Sequence, residues 1–568
     1  MKTLKKILGG VVAFLMLCVI ATPSFATTIT VEKDPSKTNL DGRTFTAYQI
    51  FSGRKDDVDD KEVLSDVQWG SAFSDEIKQT VLLSGLQDSK TFGSKFKDLT
   101  VDKPAEIAKA MDGFTEADGI ELAKIIYDAL ADTTTKKIPN EITHTDLTKT
   151  NDSYTANVDT GYYLIVDETT TGSVNPAVLQ VVGDITIKPK TEDVVLKKTV
   201  LDSENGKADS QYESSADYNI GEDVPFRLAA KVPMMTHYDE YKFQFADTLS
   251  AGLSLNEDSV KVYVASDEKG TTNKAEITGN QAVLNTNPGT ITLNNTTTIN
   301  PSFTVTLADL KTTKGTLNGQ EVAVEAGNWI IVEYTARLNE QAIFKNDNKV
   351  QLIYSNNPNT GGDGFTDEQK VYVFTFTLDG TKVDGTTKLK DAEFAITRNV
   401  PDLDSEEDGA TKVQYRAKST DNKVVWKDLG DQKIDKVTDA EIFKSAEETG
   451  LFEIKGLDAG DYELWEVKAP AGYNTPKDPF KIKIEAEHDG TAGTVTSLTL
   501  KIDDSTITEG NAGAGNTGTL AFNIQNNKGT TLPETGGMGT TMLYVAGGIL
   551  LVGSAVLLVT KKRMGHEG

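Results

Sequence analysis

Three polar residues in the last third of the chain, Lys382, Glu466 and Asn526, each alternate with hydrophobic residues at the two-residue period of a β-strand. Their hydrophobic neighbours are Phe376 and Leu378 for the lysine, Tyr462 and Leu464 for the glutamate, and Phe522 and Ile524 for the asparagine. Lys388 and Lys390 are the alternatives to Lys382. In an apolar core the pKa of a lysine falls towards the neutral amine, and that of a glutamate rises towards the protonated acid. The pattern predicts a buried nucleophile, a buried acid and a buried amide.

A similar set of residue types precedes it in the middle of the chain. In "KFQFADTL" (242–249) the period of two places Asp247 on the face of two phenylalanines, and in "NDNKVQLIYSNNP" (346–358) it places Asn348 on the face of three hydrophobic residues. For the amine, "VVLKKTV" (194–200) offers Lys197 or Lys198. The period cannot choose between these lysines without knowledge of which strand face is buried.

One further lysine stands at the end of a short strand pattern. In "GDITIKPKTED" (183–193) Ile185 and Ile187 alternate, and Pro189 then removes a backbone donor. We expect the strand to end or to lie at a sheet edge there, which would leave Lys190 accessible. Lys188 is a second amine beside it.

The segments that must position these residues have mostly β patterns. Short alternating runs such as "YKFQF", "SVKVYV", "WIIVEY" and "KVQLIY" recur between breaks rich in Asn, Gly and Asp. Only the first third shows helical spacing, in "PAEIAKAMDGF" (104–114) and "ELAKIIYDALAD" (121–132). The sequence predicts a mainly β protein of tandem immunoglobulin-like β-sandwich domains, with helical insertions in the N-terminal domain.

Two breaks divide the body of the chain. The first lies near residue 190, and the second is the Gly-, Asn- and Asp-rich "NNPNTGGDGFTDEQ" (356–369). At roughly 150 residues per domain, three domains are expected. We place them at residues 27–190, 191–365 and 366–530.

Both ends carry targeting patterns. "MKTLKK", an apolar run at 7–20 and "ATPSFA" predict a signal peptide over residues 1–26. The single cysteine, Cys18, lies inside it, so disulfides cannot stabilise the secreted body. At the other end, residues 542–560 form an apolar run long enough to span a bilayer, and "KKR" follows it. This span predicts retention in the membrane.

Composition and residue spacing exclude several functions. A formal charge of −27 opposes a nucleic-acid partner, because phosphate binding needs clustered Lys and Arg. "DSEEDG" begins like a calcium loop at Asp404, but its twelfth position is Tyr415 instead of a glutamate. The histidines have no metal-ligand spacing, and they are His144, His237, His488 and His566. We expect no cofactor, no metal site and no enzyme with turnover; a loosely bound cation at the "DSEEDG" loop is the alternative.

The C-terminal pattern resembles the cell-wall sorting signal of Gram-positive surface proteins. It consists of "LPETG", the apolar span and the basic tail, in that order. The resemblance implies that a sortase cuts between Thr535 and Gly536, holds Thr535 as a thioester and passes it to an amine. Retention in the membrane by the apolar span is then transient. The motif residues are Leu532, Pro533, Glu534, Thr535 and Gly536.

"YELWEVKAPAGY" (462–473) resembles the E-box of pilin and collagen-adhesin B-type domains, and "KVDGTTKLKDAEF" (382–394) approximates their first strand, with Asp391 where glycine is usual. The middle set resembles the collagen-adhesin A type. Such domains join a lysine amine to an asparagine amide in an isopeptide bond, helped by a buried acid. The resemblance implies the pairs Lys382–Asn526 with Glu466, and Lys197–Asn348 with Asp247; it favours Lys197 over Lys198. In domain one Lys33 and Asp167 lie on apolar faces, but the last strand ends in "KPK" with no asparagine in the amide position, so we expect no bond there.

As a whole the chain resembles the major (backbone) pilin of a sortase-assembled pilus. Lys190 then occupies the position of the pilin-motif lysine, with Lys188 where an aromatic residue is usual. The resemblance implies that Thr535 of one subunit is joined to Lys190 of the next. The implied partners are a pilus-type sortase, a housekeeping sortase, copies of the chain, accessory pilins, peptidoglycan and, as an open question, host or matrix ligands.

The alternative is a monomeric wall-anchored adhesin built from the same modules. Such anchors usually carry a long Pro/Ser-rich spacer, whereas only five residues separate Asn526 from Leu532. The short spacing favours the polymer subunit.

Overall fold

The structure, a computed structural model, describes residues 27–526 except 33–42, 59–60, 112–113, 115, 136, 152, 168–176, 188–193, 203–210, 236–237, 294–296, 357–362, 403, 406, 408, 490–492 and 512–516. The predicted signal peptide, Lys190, the "LPETG" motif and the apolar run at 542–560 lie outside the described residues. Across the described ranges no helix is long and apolar enough to cross a membrane.

The first domain contains two β-sheets and three α-helices in its described part. Its strands are β1 (Thr27–Glu32), β2 (Phe45–Val58), β3 (Lys61–Trp69), β4 (Thr145–Asp146), β5 (Thr148–Thr150), β6 (Ser153–Val158), β7 (Gly161–Asp167), β8 (Ala177–Val181) and β9 (Ile185–Ile187). Its helices are α1 (Glu76–Asp88), α2 (Pro104–Ala110) and α3 (Glu116–Leu130), with 3₁₀ turns at Ser71–Phe73 and Gly93–Lys95.

These elements form three layers. One sheet has the order β5-β6-β1-β9, and the other has the order β3-β2-β7-β8 with β4 beside β2. One hydrophobic core joins the two sheets and includes Ile29 and Ile165, while another joins the second sheet to the helices and includes Leu164 and Ile126. Because both faces of the second sheet are covered, every residue of β7 is buried.

The predicted helical segments coincide with α2 and α3, but α1 was not predicted. Its buried residues are Leu82, Leu83 and Leu86, as helical spacing requires. Ile77 and Val81 lie one turn apart on the same helix and are 72% and 48% exposed. These exposed apolar residues blur the amphipathic pattern, so the sequence gives only a weak helical signal there.

The second domain is a β-sandwich. Its described strands are β10 (Leu196–Asp202), β11 (Gln211–Glu213), β12 (Ser215–Asp217), β13 (Asp223–Lys231), β14 (Phe243–Leu249), β15 (Leu253–Leu255), β16 (Lys261–Ala265), β17 (Ala275–Ile277), β18 (Val283–Asn285), β19 (Ile291–Leu293), β20 (Thr297–Ile299), β21 (Phe303–Leu307), β22 (Lys314–Leu317), β23 (Gln320–Ala323), β24 (Trp329–Leu338), β25 (Lys345–Ser355), β26 (Asp363–Phe365) and β27 (Gln369–Phe374). Short 3₁₀ turns lie at Glu257–Ser259 and Gly279–Gln281.

Its two main sheets have the orders β11-β10-β13-β24-β16-β17-β22-β23, with β15 beside β24, and β12-β27-β25-β14-β21-β18, with β26 beside β25; β19 and β20 form a separate hairpin. The second sheet continues past the predicted boundary at residue 365, because β27 pairs with β25 as far as Phe374. A second compact unit of the chain begins at Phe376. The boundary therefore lies about ten residues later than predicted, because "KVYVF" completes one sheet before "FTLDG" starts another.

The third domain also consists of two sheets. Its described strands are β28 (Phe376–Asp384), β29 (Thr387–Lys388), β30 (Glu393–Pro401), β31 (Thr411–Lys418), β32 (Val424–Asp428), β33 (Phe443–Lys444), β34 (Leu451–Leu457), β35 (Gly460–Lys468), β36 (Phe480–Asp489), β37 (Thr494–Ile502), β38 (Ser505–Asn511) and β39 (Thr519–Gln525), with a 3₁₀ turn at Ile434–Lys436. In the smaller sheet β28 pairs with β29, β34 and β39, and the larger has the order β32-β31-β30-β35-β36-β37-β38, with β33 beside β30. The predicted tandem β-sandwiches are confirmed.

Candidate functional site

The first candidate site lies between the two sheets of the second domain, where β10 contributes a lysine. Leu196 and Val200 on this strand are buried, and the period of two places Lys198 on their face. Lys197 points the opposite way: its side chain is 49% exposed, and its Nζ lies 2.7 Å from Glu268. The amine inside the domain is therefore that of Lys198, which corrects the choice of Lys197.

The other sheet supplies the acid and the amide. Asp247 lies on β14, and Asn348 lies on the neighbouring strand β25. The register partner of Asn348 is Leu249 on β14. The Nζ of Lys198 lies 2.5 Å from Oδ2 of Asp247 and 2.6 Å from Oδ1 of Asn348. The side chains of Lys198 and Asp247 are fully buried, and Asn348 is 0% exposed. The structure thus brings together the predicted acid, the predicted amide and the alternative lysine.

A tyrosine completes this site, and the sequence analysis missed it. Tyr334, on β24, donates its hydroxyl to Oδ2 of Asp247 at 3.0 Å and accepts from Nδ2 of Asn348 at 2.8 Å. The Nζ of Lys198 also donates to this hydroxyl, at 3.1 Å. Its signal in the sequence is the alternation in "WIIVEYTARL" (329–338), which places the tyrosine on a buried face where its hydroxyl needs a polar partner.

Burial determines the electrostatics of this site. It lowers the pKa of Lys198 to about 8, against the opposing effect of the Asp247 charge. Burial also raises the pKa of Asp247, although the nearby lysine opposes this shift. The pKa of Tyr334 is raised well above its ordinary range by burial and by the Asp247 charge, so the phenol keeps its proton. The arrangement can present a neutral amine to an amide carbon in the presence of proton donors.

The second candidate site lies in the third domain. Lys382 is on β28, where the parallel pairing with β39 places it opposite Ile524. Asn526 follows β39 directly, and its backbone N–H donates to the carbonyl oxygen of Val383 at 2.8 Å. Glu466 comes from β35 in the other sheet, and its Oε2 lies 2.7 Å from Nζ of Lys382, with both side chains fully buried. The lysine and the acid predicted for this domain are in contact, and the predicted asparagine is held on the adjacent strand.

The electrostatics of this site resemble those of the first. Burial lowers the pKa of Lys382 and raises that of Glu466, while their mutual hydrogen bond opposes both shifts. The ring of Phe394 lies 5.7 Å from the amine. Within the described part of the chain, Oε1 of Glu466 and Nδ2 of Asn526 are buried without a hydrogen-bond partner. Each such atom costs about 1–3 kcal/mol, so departure of the amide nitrogen would remove one of these penalties.

Asp391, which lies between β29 and β30, has a backbone φ of 67°. This is the left-handed region that glycine adopts without strain and that aspartate tolerates better than most residues. The conformation explains why a glycine is usual at this position in the domains that the sequence resembles. Here the carboxylate forms an exposed ion pair with Lys444 at 2.7 Å.

The first domain has a different buried polar pair. Asp167, at the end of β7, forms a buried ion pair with Arg43. A guanidinium stays protonated in proteins and is not a nucleophile, so this pair cannot form an isopeptide bond. Lys33 lies outside the described residues. In the described ranges no group of three or more His, Asp or Glu side chains could hold a metal ion.

Two family models match parts of the chain. Residues 376–498 match the SpaA family, described as a prealbumin-like fold domain. Residues 524–564 match the LPXTG cell wall anchor motif. The first match agrees with the β-sandwich of the third domain, and the second confirms the predicted anchor and with it a cell-wall location. No curated protein matches the chain.

Several solved structures are similar over most of the chain. The T6 backbone pilin of serotype M6 Streptococcus pyogenes has 17% sequence identity and a TM-score of 0.48, and the match covers 89% of this chain and 99% of that one. The major pilin SpaD from Corynebacterium diphtheriae has the same identity and coverage and a TM-score of 0.46. The major pilin SpaA from Corynebacterium diphtheriae has 13% identity and a TM-score of 0.42, with 88% and 99% coverage.

Proposed function

We propose that this chain is the structural shaft subunit of a covalent cell-surface pilus that supports adhesion or colonisation. A sortase joins Thr535 of one subunit to Lys190 of the next, and the second and third domains each contain one internal Lys–Asn isopeptide bond. The observation that carries this proposal is the pair of buried lysine–acid–asparagine sets, in consecutive domains of a wall-anchored chain without cysteine outside its predicted signal.

The internal bonds form by the same chemistry in both domains. The lysine Nζ attacks the asparagine Cγ, a bond forms between them, and the Cγ–Nδ2 bond breaks to release ammonia. Asp247 serves Lys198 and Asn348, and Glu466 serves Lys382 and Asn526. Each acid takes the proton that the amine loses and supplies the proton that the leaving nitrogen needs. Each bond forms once per chain and without turnover, so the chain is the substrate of this intramolecular reaction. It is also the substrate of a sortase.

The internal bonds would make each domain resist unfolding under mechanical load. A fibre one molecule wide carries force through every subunit in series, and a non-covalent domain is stable by only about 5–15 kcal/mol. Forced unfolding is governed by an unfolding rate, which rises as force is applied. A covalent bond between two strands prevents the segment that it encloses from unfolding and extending under force. The lack of disulfides makes an isopeptide bond the available cross-link in this chain.

Extracts of the cell wall test the polymer directly. Cells that express the unaltered chain with its pilus-type sortase should give a ladder of high-mass species that survives boiling in detergent. Lys190→Ala should give only the monomer, because the acceptor amine is gone. Lys188→Ala, which removes the neighbouring amine, is the matched control and should keep the ladder. A ladder that persists unchanged in Lys190→Ala, or a wild type that stays monomeric, would favour the wall-anchored adhesin.

A further inference from the structure

We propose that Tyr334 is a catalytic residue of the second-domain reaction, whose hydroxyl passes a proton from Asp247 to the leaving nitrogen of Asn348. This inference rests on the internal bond proposed above. It concerns a side chain that touches two of the reacting groups and that has no equivalent in the third-domain site as described.

The hydroxyl bridges the acid and the leaving group. It lies 3.0 Å from Oδ2 of Asp247, to which it donates, and 2.8 Å from Nδ2 of Asn348, from which it accepts. Among the hydrogen bonds of the described residues there is none between Asp247 and Asn348, and Oδ1 of Asp247 has no partner. The acid therefore contacts the amine directly but reaches the leaving nitrogen only through the tyrosine.

The proton transfers balance in a single cycle. As Nζ of Lys198 bonds to Cγ of Asn348, it loses one proton to Oδ2 of Asp247. Attack on Cγ frees the lone pair of Nδ2, and the Tyr334 hydroxyl, which donates to Oδ2 before the reaction, turns to donate to Nδ2. It gives its proton to Nδ2 and takes the proton held by Asp247. The Cγ–Nδ2 bond then breaks and ammonia leaves. The acid and the tyrosine return to their starting protonation states, so no co-reactant is needed.

The surrounding rings hold Tyr334 in position. Its ring stacks on Phe226 with centroids 5.3 Å apart and meets the edge of Phe303 at 5.1 Å. The residue is only 2% exposed, so water cannot readily replace the hydroxyl as a proton carrier. Tyr334 belongs to the sheet that carries Lys198, whereas Asp247 and Asn348 belong to the other. The relay is therefore assembled only when both sheets have packed together.

The third domain provides an internal comparison. There Glu466 contacts Lys382, but in the described structure neither Oε1 of Glu466 nor Nδ2 of Asn526 has a hydrogen-bond partner. Among the described residues, no hydroxyl is hydrogen-bonded to both the acid and the amide at that site. One molecule thus contains a bond that should need the tyrosine and a bond that should not.

The test uses Tyr334→Phe in the full chain, which keeps the ring and removes only the hydroxyl. Each protein is made by cell-free synthesis, synthesis is stopped, and ammonia loss is followed by intact mass, with peptide mapping to assign each bond. The second-domain bond should form about a hundredfold more slowly, the lower end of what general acid catalysis contributes. The third-domain bond in the same molecules should form at the wild-type rate.

Tyr218→Phe is the matched control, because it removes another buried hydroxyl of the same domain, which donates to the carbonyl oxygen of Leu201 at 2.7 Å. Both bonds should form at normal rates in this variant. The relay is overturned if Tyr334→Phe closes the second domain as fast as the wild type, or if Tyr218→Phe slows it equally. If the unaltered chain loses no ammonia in that domain, the internal bond itself is wrong, whatever the polymer ladder shows.

Discussion

Two adjacent lysines on β10 show how the environment of one residue sets its chemistry. Lys198 is fully buried, and burial lowers its pKa to about 8. Near neutral pH a fraction of this amine is therefore unprotonated and has a nucleophilic lone pair. Lys197 faces solvent, and its Nζ lies 2.7 Å from Glu268. An ion pair at the surface adds at most about 1 kcal/mol, so removal of Lys197 should hardly be felt.

Lys198→Ala and Lys197→Ala therefore form a matched pair. The unaltered chain should weigh less than its sequence, after loss of the signal peptide, by the mass of two ammonia molecules. Lys198→Ala should lose only one ammonia, because the second-domain amine is missing, and Lys197→Ala should lose both. Intact mass spectrometry of the purified chains decides the matter. Loss of two ammonias from Lys198→Ala would return the role to Lys197.

Most of the buried polar residues could be predicted from the sequence, but not all. Asp247 and Asn348 each lie on the strand face with more hydrophobic residues, so the strand period identifies them. "VVLKKTV" has apolar residues on both faces, which leaves Lys197 and Lys198 equivalent until the fold is known. Tyr334 could not be assigned, because its partners Asp247 and Asn348 lie in the other sheet and no local pattern encodes how the two sheets pack.

At the scale of strands, the two proposed bonds connect elements that enter and leave each domain. In the third domain β28 and β39 are its first and last strands and are parallel neighbours. In the second domain β10 is the first strand, and β25 lies near the end, in the other sheet. The residues enclosed between Lys198 and Asn348, 150 positions apart, would form one covalent loop.

Glu466→Ala should leave the third-domain bond unformed and restore the mass of one ammonia. Closure of the loop between Lys382 and Asn526 contributes about 5 kcal/mol by chain entropy, so the free energy of unfolding of the domain should fall by about that amount. The backbone amides of β39 should then exchange hydrogen faster than those of β30 and β35, because only ladder bonds and packing retain the last strand. Mass spectrometry with hydrogen exchange measures both effects.

Glu463→Ala is the control for that change. Glu463 lies on the same strand with its side chain on the opposite face, where it accepts from the hydroxyl of Thr397 at 3.4 Å. Glu463→Ala should still lose two ammonia molecules, and the backbone amides of β39 should exchange hydrogen at the wild-type rate. If Glu466→Ala still loses two ammonia molecules, another group acts as the acid.

The elements themselves were predictable to different degrees. Alternating strands and the two helices with clear apolar stripes follow from periodicity. Helix α1 was not predicted, because Ile77 and Val81 face solvent, and the second domain boundary was misplaced, because β27 pairs with the sheet that precedes it in sequence. Both misses come from tertiary packing that overrides a local pattern.

At the scale of the whole molecule, covalent connectivity decides which domains bear load. In the proposed polymer force enters a subunit at Lys190 and leaves at Thr535. The first domain precedes Lys190 in sequence, so it stays outside this path, whereas the second and third domains lie within it. Only these two contain buried lysine–acid–asparagine sets among the described residues, and the first contains the Arg43–Asp167 pair instead.

Single-molecule pulling should show this division. The body has no cysteine, so single substitutions provide unique handles. Between Lys190→Cys and Thr535→Cys we expect no unfolding of a whole domain. Between Thr27→Cys and Thr535→Cys we expect one unfolding step on the order of 500 Å, the length of the extended first domain. Whole-domain steps with the first pair of handles would contradict the proposed internal bonds.

The division of the second-domain site between two sheets has a consequence for quality control. The amine and the tyrosine belong to one sheet, and the acid and the amide belong to the other, so the bond can form only in a copy whose sandwich has closed in register. Release of ammonia then makes folding a one-way step. The proposed cross-link would therefore distinguish correctly folded copies permanently, since a misfolded copy could not form it and would stay open to proteases at the cell surface.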